Sequence, residues 1–80
     1  MFRVDVWEYE RGWGSKVDIR VYFRELANAD AYVAKFNSRN TASSAPDWYM
    51  QAENPIIVRE LPVGEKLWED IQAEKAANDN

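Results

Sequence analysis

Two stretches of strict alternation flank a pair of glycines, and that arrangement limits the fold more than any other feature of the chain. "FRVDVWEY" at 2–9 puts Phe2, Val4 and Val6 on one side and Arg3, Asp5, Trp7 and Tyr9 on the other. "VDIRVYF" at 17–23 sets Val17, Ile19, Val21 and Phe23 against Asp18, Arg20 and Tyr22. A period of two with β-branched residues predicts a strand from each. Between them lies "ERGWGSK" at 10–16, with Gly12 and Gly14. Glycine reaches positive φ without a Cβ clash, so at least one of the two is expected there, closing a β-hairpin. Either the loop is longer than two residues or the strands run further inward than the alternation.

The remainder changes period. "ELANADAYVAKFNSRN" at 25–40 predicts a helix with the stripe Ala29, Tyr32, Val33 and Phe36. Asn28 is the expected N-cap, with Leu26 packed back on the first turn. "NTASSAP" at 40–46 is small and polar, hence a loop. "DWYMQAE" at 47–53 predicts a third strand, with Trp48, Met50 and Ala52 opposing Tyr49, Gln51 and Glu53. Pro55 interrupts it, and "IIVREL" at 56–61 extends it or begins a fourth strand before Pro62. "GEKLWEDIQAEKAAN" at 64–78 predicts a last helix with Leu67, Trp68 and Ile71 as its apolar side, and "AANDN" is expected to fray. The order is β-β-α-β, with or without a further strand, then α. A right-handed crossover gives an antiparallel sheet of order 2-1-3. The expected class is α+β: one domain, with the sheet and first helix in 1–61 and an acidic C-terminal helix and tail in 62–80. Helix one should cover the face carrying Phe2, Val4, Val6, Val17, Ile19, Val21 and Phe23.

Eighty residues make one domain with a thin core, since so short a chain buries only about 60% of its unfolded surface. Four Trp, four Tyr and three Phe carry much of the burial available. The chain has no His and no Cys. That excludes the usual zinc and haem ligand sets, Cys–His pairs and a Ser–His–Asp triad. "GSK" at 14–16 lacks the spacing of a phosphate loop and sits in a hairpin. Carboxylate pairs such as Glu8/Glu10 and Glu69/Asp70 read as solvated faces rather than metal sites. No enzyme activity, cofactor or metal is expected. No apolar run approaches the roughly 20 residues of a membrane span, and no signal peptide follows Met1, so a cytoplasmic home is expected. Formal charge is −4, all of it in 60–80, because residues 1–59 hold eight acids and eight bases. A general phosphate binder would show the opposite balance, which argues against direct binding of nucleic acid.

Three groups are candidate partner-binding surfaces. The first is Arg11, Trp13 and Lys16 at the hairpin. Trp13 either folds over the sheet edge or is displayed as an interface anchor, a role in which Trp and Arg are enriched. The second is Trp7, Tyr9 and Tyr22 on the second sheet face. They form either a small second core under Leu67, Trp68 and Ile71, or an open face for a partner or a nucleotide-like ligand. The third is the acidic helix with Glu65, Glu69, Asp70 and Glu74. Its acids are either ordinary solvated residues, the early ones suiting the helix dipole, or a surface that competes for a nucleic-acid-binding groove. Read as helical, Glu65/Glu69 and Asp70/Glu74 are like-charged i,i+4 pairs.

"VWEYERGWGSKVD", followed by "FNSRN" and "PDWYM", resembles a group of short, uncharacterised proteins of bacteriophages and prophages. The matching residues are Glu10 to Lys16, Phe36, Asn37 and Asp47 to Met50, within roughly residues 4 to 53. The resemblance implies a strand, an E-R-G-W-G-like turn, a strand, a helix ending in F-N and a D-W-Y-M-like strand. It brings no catalytic residues, and the acidic segment from residue 60 lies outside it. It implies a small protein in the host cytoplasm that binds and inhibits host machinery. The leading candidate is an anti-CRISPR inhibitor of a CRISPR–Cas effector, serving host defence evasion. The likeness to anti-CRISPR proteins lies in size, charge and setting, not in a motif. The alternative function is a small-ligand or nucleotide-binding module using the aromatic sheet face.

Overall fold

The computed structural model describes residues 1–39 and 48–78. The predicted loop at 40–46 and Asp47 lie outside them. Strand β1 (Phe2–Glu10) turns through Arg11, Gly12 and Trp13 into the antiparallel strand β2 (Gly14–Phe23). The Trp13 amide donates to the Glu10 carbonyl at 3.0 Å, closing a four-residue turn. Gly12, third in that turn, has φ of 86°, the sign a type II turn needs there, and Gly14 follows at 92°. Both glycines therefore take the backbone region expected of at least one.

The register holds only part of the way. Phe2 faces Phe23, Val4 faces Val21 and Val6 faces Ile19; then the pairing shifts and Trp7 faces Val17. Asp18 is the extra residue of a β-bulge. The bulge corrects one expectation: Val17 moves to the face of Trp7, away from Val4 and Val6. Ile19 stays on the first face but is 42% exposed, out on the edge strand.

Helix α1 (Leu26–Arg39) returns the chain to strand β3 (Trp48–Ala52), which pairs antiparallel with the other edge of β1. The strand order is the predicted 2-1-3. Strand β4 (Ile56–Ile57) continues along the same edge and pairs with Phe2 and Arg3. Pro55, which has no N–H for the ladder, separates the two pieces. Val58 then bonds the Met1 carbonyl at 3.0 Å. Val4, Val6, Phe23, Ala29 and Ala52 form the buried core, with Tyr32, Val33 and Phe36 of α1 packed against it.

Helix α2 (Trp68–Asn78) joins this same core. Trp68 lies against Phe23 with ring centroids 5.5 Å apart. The expectation that Trp68 might cap the Trp7 face is thereby corrected. The chain meets β2 at its outer edge, where Leu67 bridges to Tyr22, and from there Trp68 reaches the α1 side. Helix α2 also starts four residues later than its pattern suggested. Glu65 donates its amide to the Pro62 carbonyl in a turn with Gly64 at φ of 88°, so Glu65 and Glu69 do not share a helical face. At the other end α2 stays helical through Asn78, three residues into the segment expected to fray.

Two side chains tie α1 down, and neither is the predicted cap. Helix α1 begins at Leu26, so Asn28 is inside its first turn, and Leu26 is 46% exposed rather than packed. The free amides of Arg24 and Glu25 donate to the Glu69 carboxylate from α2, at 2.9 to 3.0 Å. Near its other end, Asn37 imitates a neighbouring strand. Its Nδ2 donates to the Ala52 carbonyl at 2.9 Å, and its Oδ1 accepts from the Ala52 amide at 2.8 Å.

Candidate functional site

The hairpin tip displays its aromatic. Trp13 is 83% exposed, so it does not fold back over the sheet edge. Its indole stands beside Glu8, Glu10 and Lys16 around a shallow notch of about 210 Å³. Lys16 approaches Glu8 at 3.9 Å across the ladder, while Arg11 is exposed beside it in the turn. An added Cβ at Gly12 or Gly14 would meet nothing within 4 Å, so no contact requires glycine there. The backbone conformation alone does, and it fixes where Trp13 points.

Neither helix packs over the Trp7 and Tyr9 side of β1, since α2 touches the sheet at β2. Tyr9 and Tyr49 are register partners, and their rings stack 5.0 Å apart with planes 12° from parallel. Half-buried Trp7 lies next to them, and its Nε1 is buried without an acceptor. Asp5 bonds Arg3 at 2.8 Å and faces Arg20 at 3.6 Å. The hydrogen bond to Asp5 raises the Arg3 pKa above its ordinary value. Tyr22 does not share this exposure: it is 5% exposed, and its ring is not offered to a partner. Tyr49, not singled out as a site residue from the sequence, takes its place. The register that brings it opposite Tyr9 is the missing signal.

Of the four candidate carboxylates Glu65, Glu69, Asp70 and Glu74, the last three already have partners within the chain. Glu69 accepts from Arg24, Glu25 and the Asn28 amide group. Partial burial pushes its pKa up, but these donors outweigh it and hold it at about 2. Asp70 meets the Arg24 guanidinium at 3.2 Å, and Glu74 meets Lys66 at 3.0 Å. Glu65, ahead of the helix, is exposed. The predicted sites therefore fall in separate places: the tip, the open sheet face and the α1–α2 junction.

Comparison with protein-family models, curated proteins and solved structures finds no match to this chain. Among the described residues no helix is long and apolar enough to cross a membrane.

Sequence reasoning missed one concavity. Helices α1 and α2 enclose a groove of about 540 Å³, lined by Tyr32, Lys35, Phe36 and Arg39 from one side and Trp68 and Gln72 from the other. The apolar stripe of α1 was legible as a core stripe. That its outer margin and Trp68 would leave an open aromatic floor depended on where α2 docks, and no local pattern encodes that.

Proposed function

We propose that this chain is a non-enzymatic bacteriophage or prophage protein that binds and inhibits a host protein complex in the cytoplasm, with a CRISPR–Cas effector as the leading target. The observation that carries the reading is Trp13, 83% exposed on a turn fixed by two glycines at positive φ. A large ring held this way loses little freedom when a partner covers it, which is the property of an interface hot spot. Arg11 and Lys16 flank it, and the phage-protein resemblance supports the setting. Away from the tip, Glu65, Asp70 and Glu74 are exposed acids and form a second candidate surface, which competes for a basic nucleic-acid groove on the target. Glu69 serves α1 instead. The test is inhibition of purified effector by the wild-type chain and by Trp13→Ala. Inhibition lost by a variant that stays folded supports the reading. Undiminished inhibition removes the tip from it.

One observation favours a second reading, a ligand on the open sheet face. The Tyr9–Tyr49 stack lies in that face, and a small ligand with a flat ring can continue it. A rise in melting temperature with such a ligand, lost in Tyr9→Ala, supports that reading.

A further inference from the structure

The groove between α1 and α2 combines an aromatic floor with unopposed positive charge. Tyr32 and Phe36 lie one helical turn apart, their rings 5.9 Å apart and 27° from parallel, and Trp68 closes the far side. Phe23 backs both walls, at 5.4 Å from Tyr32 and 5.5 Å from Trp68. Desolvation already raises the pKa of the Tyr32 hydroxyl, so the floor is partly dry before anything binds. On the rim, Lys35 and Arg39 are four residues apart on one helix face, close enough for both to reach a single anion.

Both lack an ion pair among the described residues, as do Arg59 and Lys75, but only Lys35 and Arg39 line the groove. Arg3, Lys16, Arg20, Arg24 and Lys66 each stand within salt-bridge distance of a carboxylate. Lys35 and Arg39 have no such partner among the described residues, in a chain whose net charge is −4. Across the groove, Gln72 offers an amide with both donor and acceptor. Asn28 spends its Nδ2 on Glu69 and keeps Oδ1 as an acceptor. A flat body with hydrogen-bonding edges fits the floor, and an attached anion fits the rim.

We infer that this groove is a binding site for an anionic ligand with a flat aromatic body, of the nucleoside monophosphate class. Its volume of about 540 Å³ falls in the range of small-molecule sites, roughly 300–1,000 Å³. The inference is independent of the hairpin-tip reading and concerns a different surface from the Tyr9–Tyr49 face.

The experiment is a titration of the full chain with AMP, adenosine, inorganic phosphate and a medium-chain fatty acid, followed by backbone amide NMR shifts. AMP is expected to shift amides of Lys35, Phe36, Arg39, Trp68 and Gln72 with saturable binding. Adenosine and phosphate are each expected to bind at least about tenfold more weakly. The double variant Lys35→Gln, Arg39→Gln keeps the fold, since both side chains are exposed, and it should weaken AMP by about tenfold or more while leaving adenosine unchanged. Tyr9→Ala should change nothing here. The inference is overturned by any of four results: no shifts with millimolar AMP, unchanged AMP binding in the double variant, phosphate or the fatty acid binding as well as AMP, or shifts confined to Tyr9 and Tyr49.

Discussion

The hairpin tip and the α1–α2 junction use the same kinds of residue for opposite ends. Each has a tryptophan, acids and bases. At the junction Trp68, Glu69, Asp70 and Arg24 each meet a partner. Trp68 packs on Phe23, Glu69 accepts from Arg24, Glu25 and Asn28, and Asp70 meets Arg24. At the tip the ring stands in solvent, and Lys16 lies 3.9 Å from Glu8. Residue type therefore does not separate a structural tryptophan from a displayed one. Tertiary partners do, and they come from segments distant in sequence.

The contrast can be broken most directly at Trp68. Trp68→Ala should cost about 3 kcal/mol, the low end for a large aromatic truncated in a core, because the ring is only half buried. Urea unfolding measures it, and a loss under about 1 kcal/mol would show that α2 does not belong to the core.

Glu69 comes next. Glu69→Gln should cost about 1–2 kcal/mol at neutral pH, the range of a lost helix cap with charged acceptors. The folded pKa is depressed to about 2 from an ordinary 4.5. The unfolded chain therefore takes up the proton first on acidification. The stabilisation is complete above the ordinary value and disappears as pH falls through about 2. Melting curves of wild type and variant should converge over that window, and a constant gap from pH 7 to 2 would sink the assignment.

A smaller effect is expected at the turn. Gly12→Val or Gly14→Val should each cost about 1–2 kcal/mol, wholly from the backbone, since a side chain there meets nothing. A neutral substitution would mean that the turn relaxes and does not fix Trp13.

The smallest change in stability is expected for Trp13→Ala, within about 0.5 kcal/mol. The same variant should lose about 2 kcal/mol or more of partner affinity. If it unfolds the domain instead, the distinction between the two regions collapses.

What was legible in the sequence follows the range of the interactions. The hairpin, the positive φ of its glycines and the strand order rest on alternation and local turn chemistry, and these were readable. The bulge at Asp18 was not, because "VDIRV" alternates without a flaw, and only pairing with β1 reveals the extra residue. Asn28 was read as a cap because Asn is a good one. The acceptor that does the work is Glu69, more than forty residues later. Asn37 could not be distinguished from an ordinary helical Asn, as its partner is a strand edge. Tyr22 and Tyr49 exchanged roles for the same reason: their exposure depends on what crosses the sheet, not on their own neighbours.

The Glu69 contact also gives the fold a direction in time. Synthesis runs from the N-terminus, so the hairpin and α1 leave the ribosome well before the acceptor for the start of α1 does. Until residue 69 emerges, the amides of Arg24 and Glu25 have only water to bind. Until then the first turn of α1 lacks the acceptor that closes it. The acidic segment, which looks like an appendage by charge, is the closing piece that makes the helix ahead of it permanent.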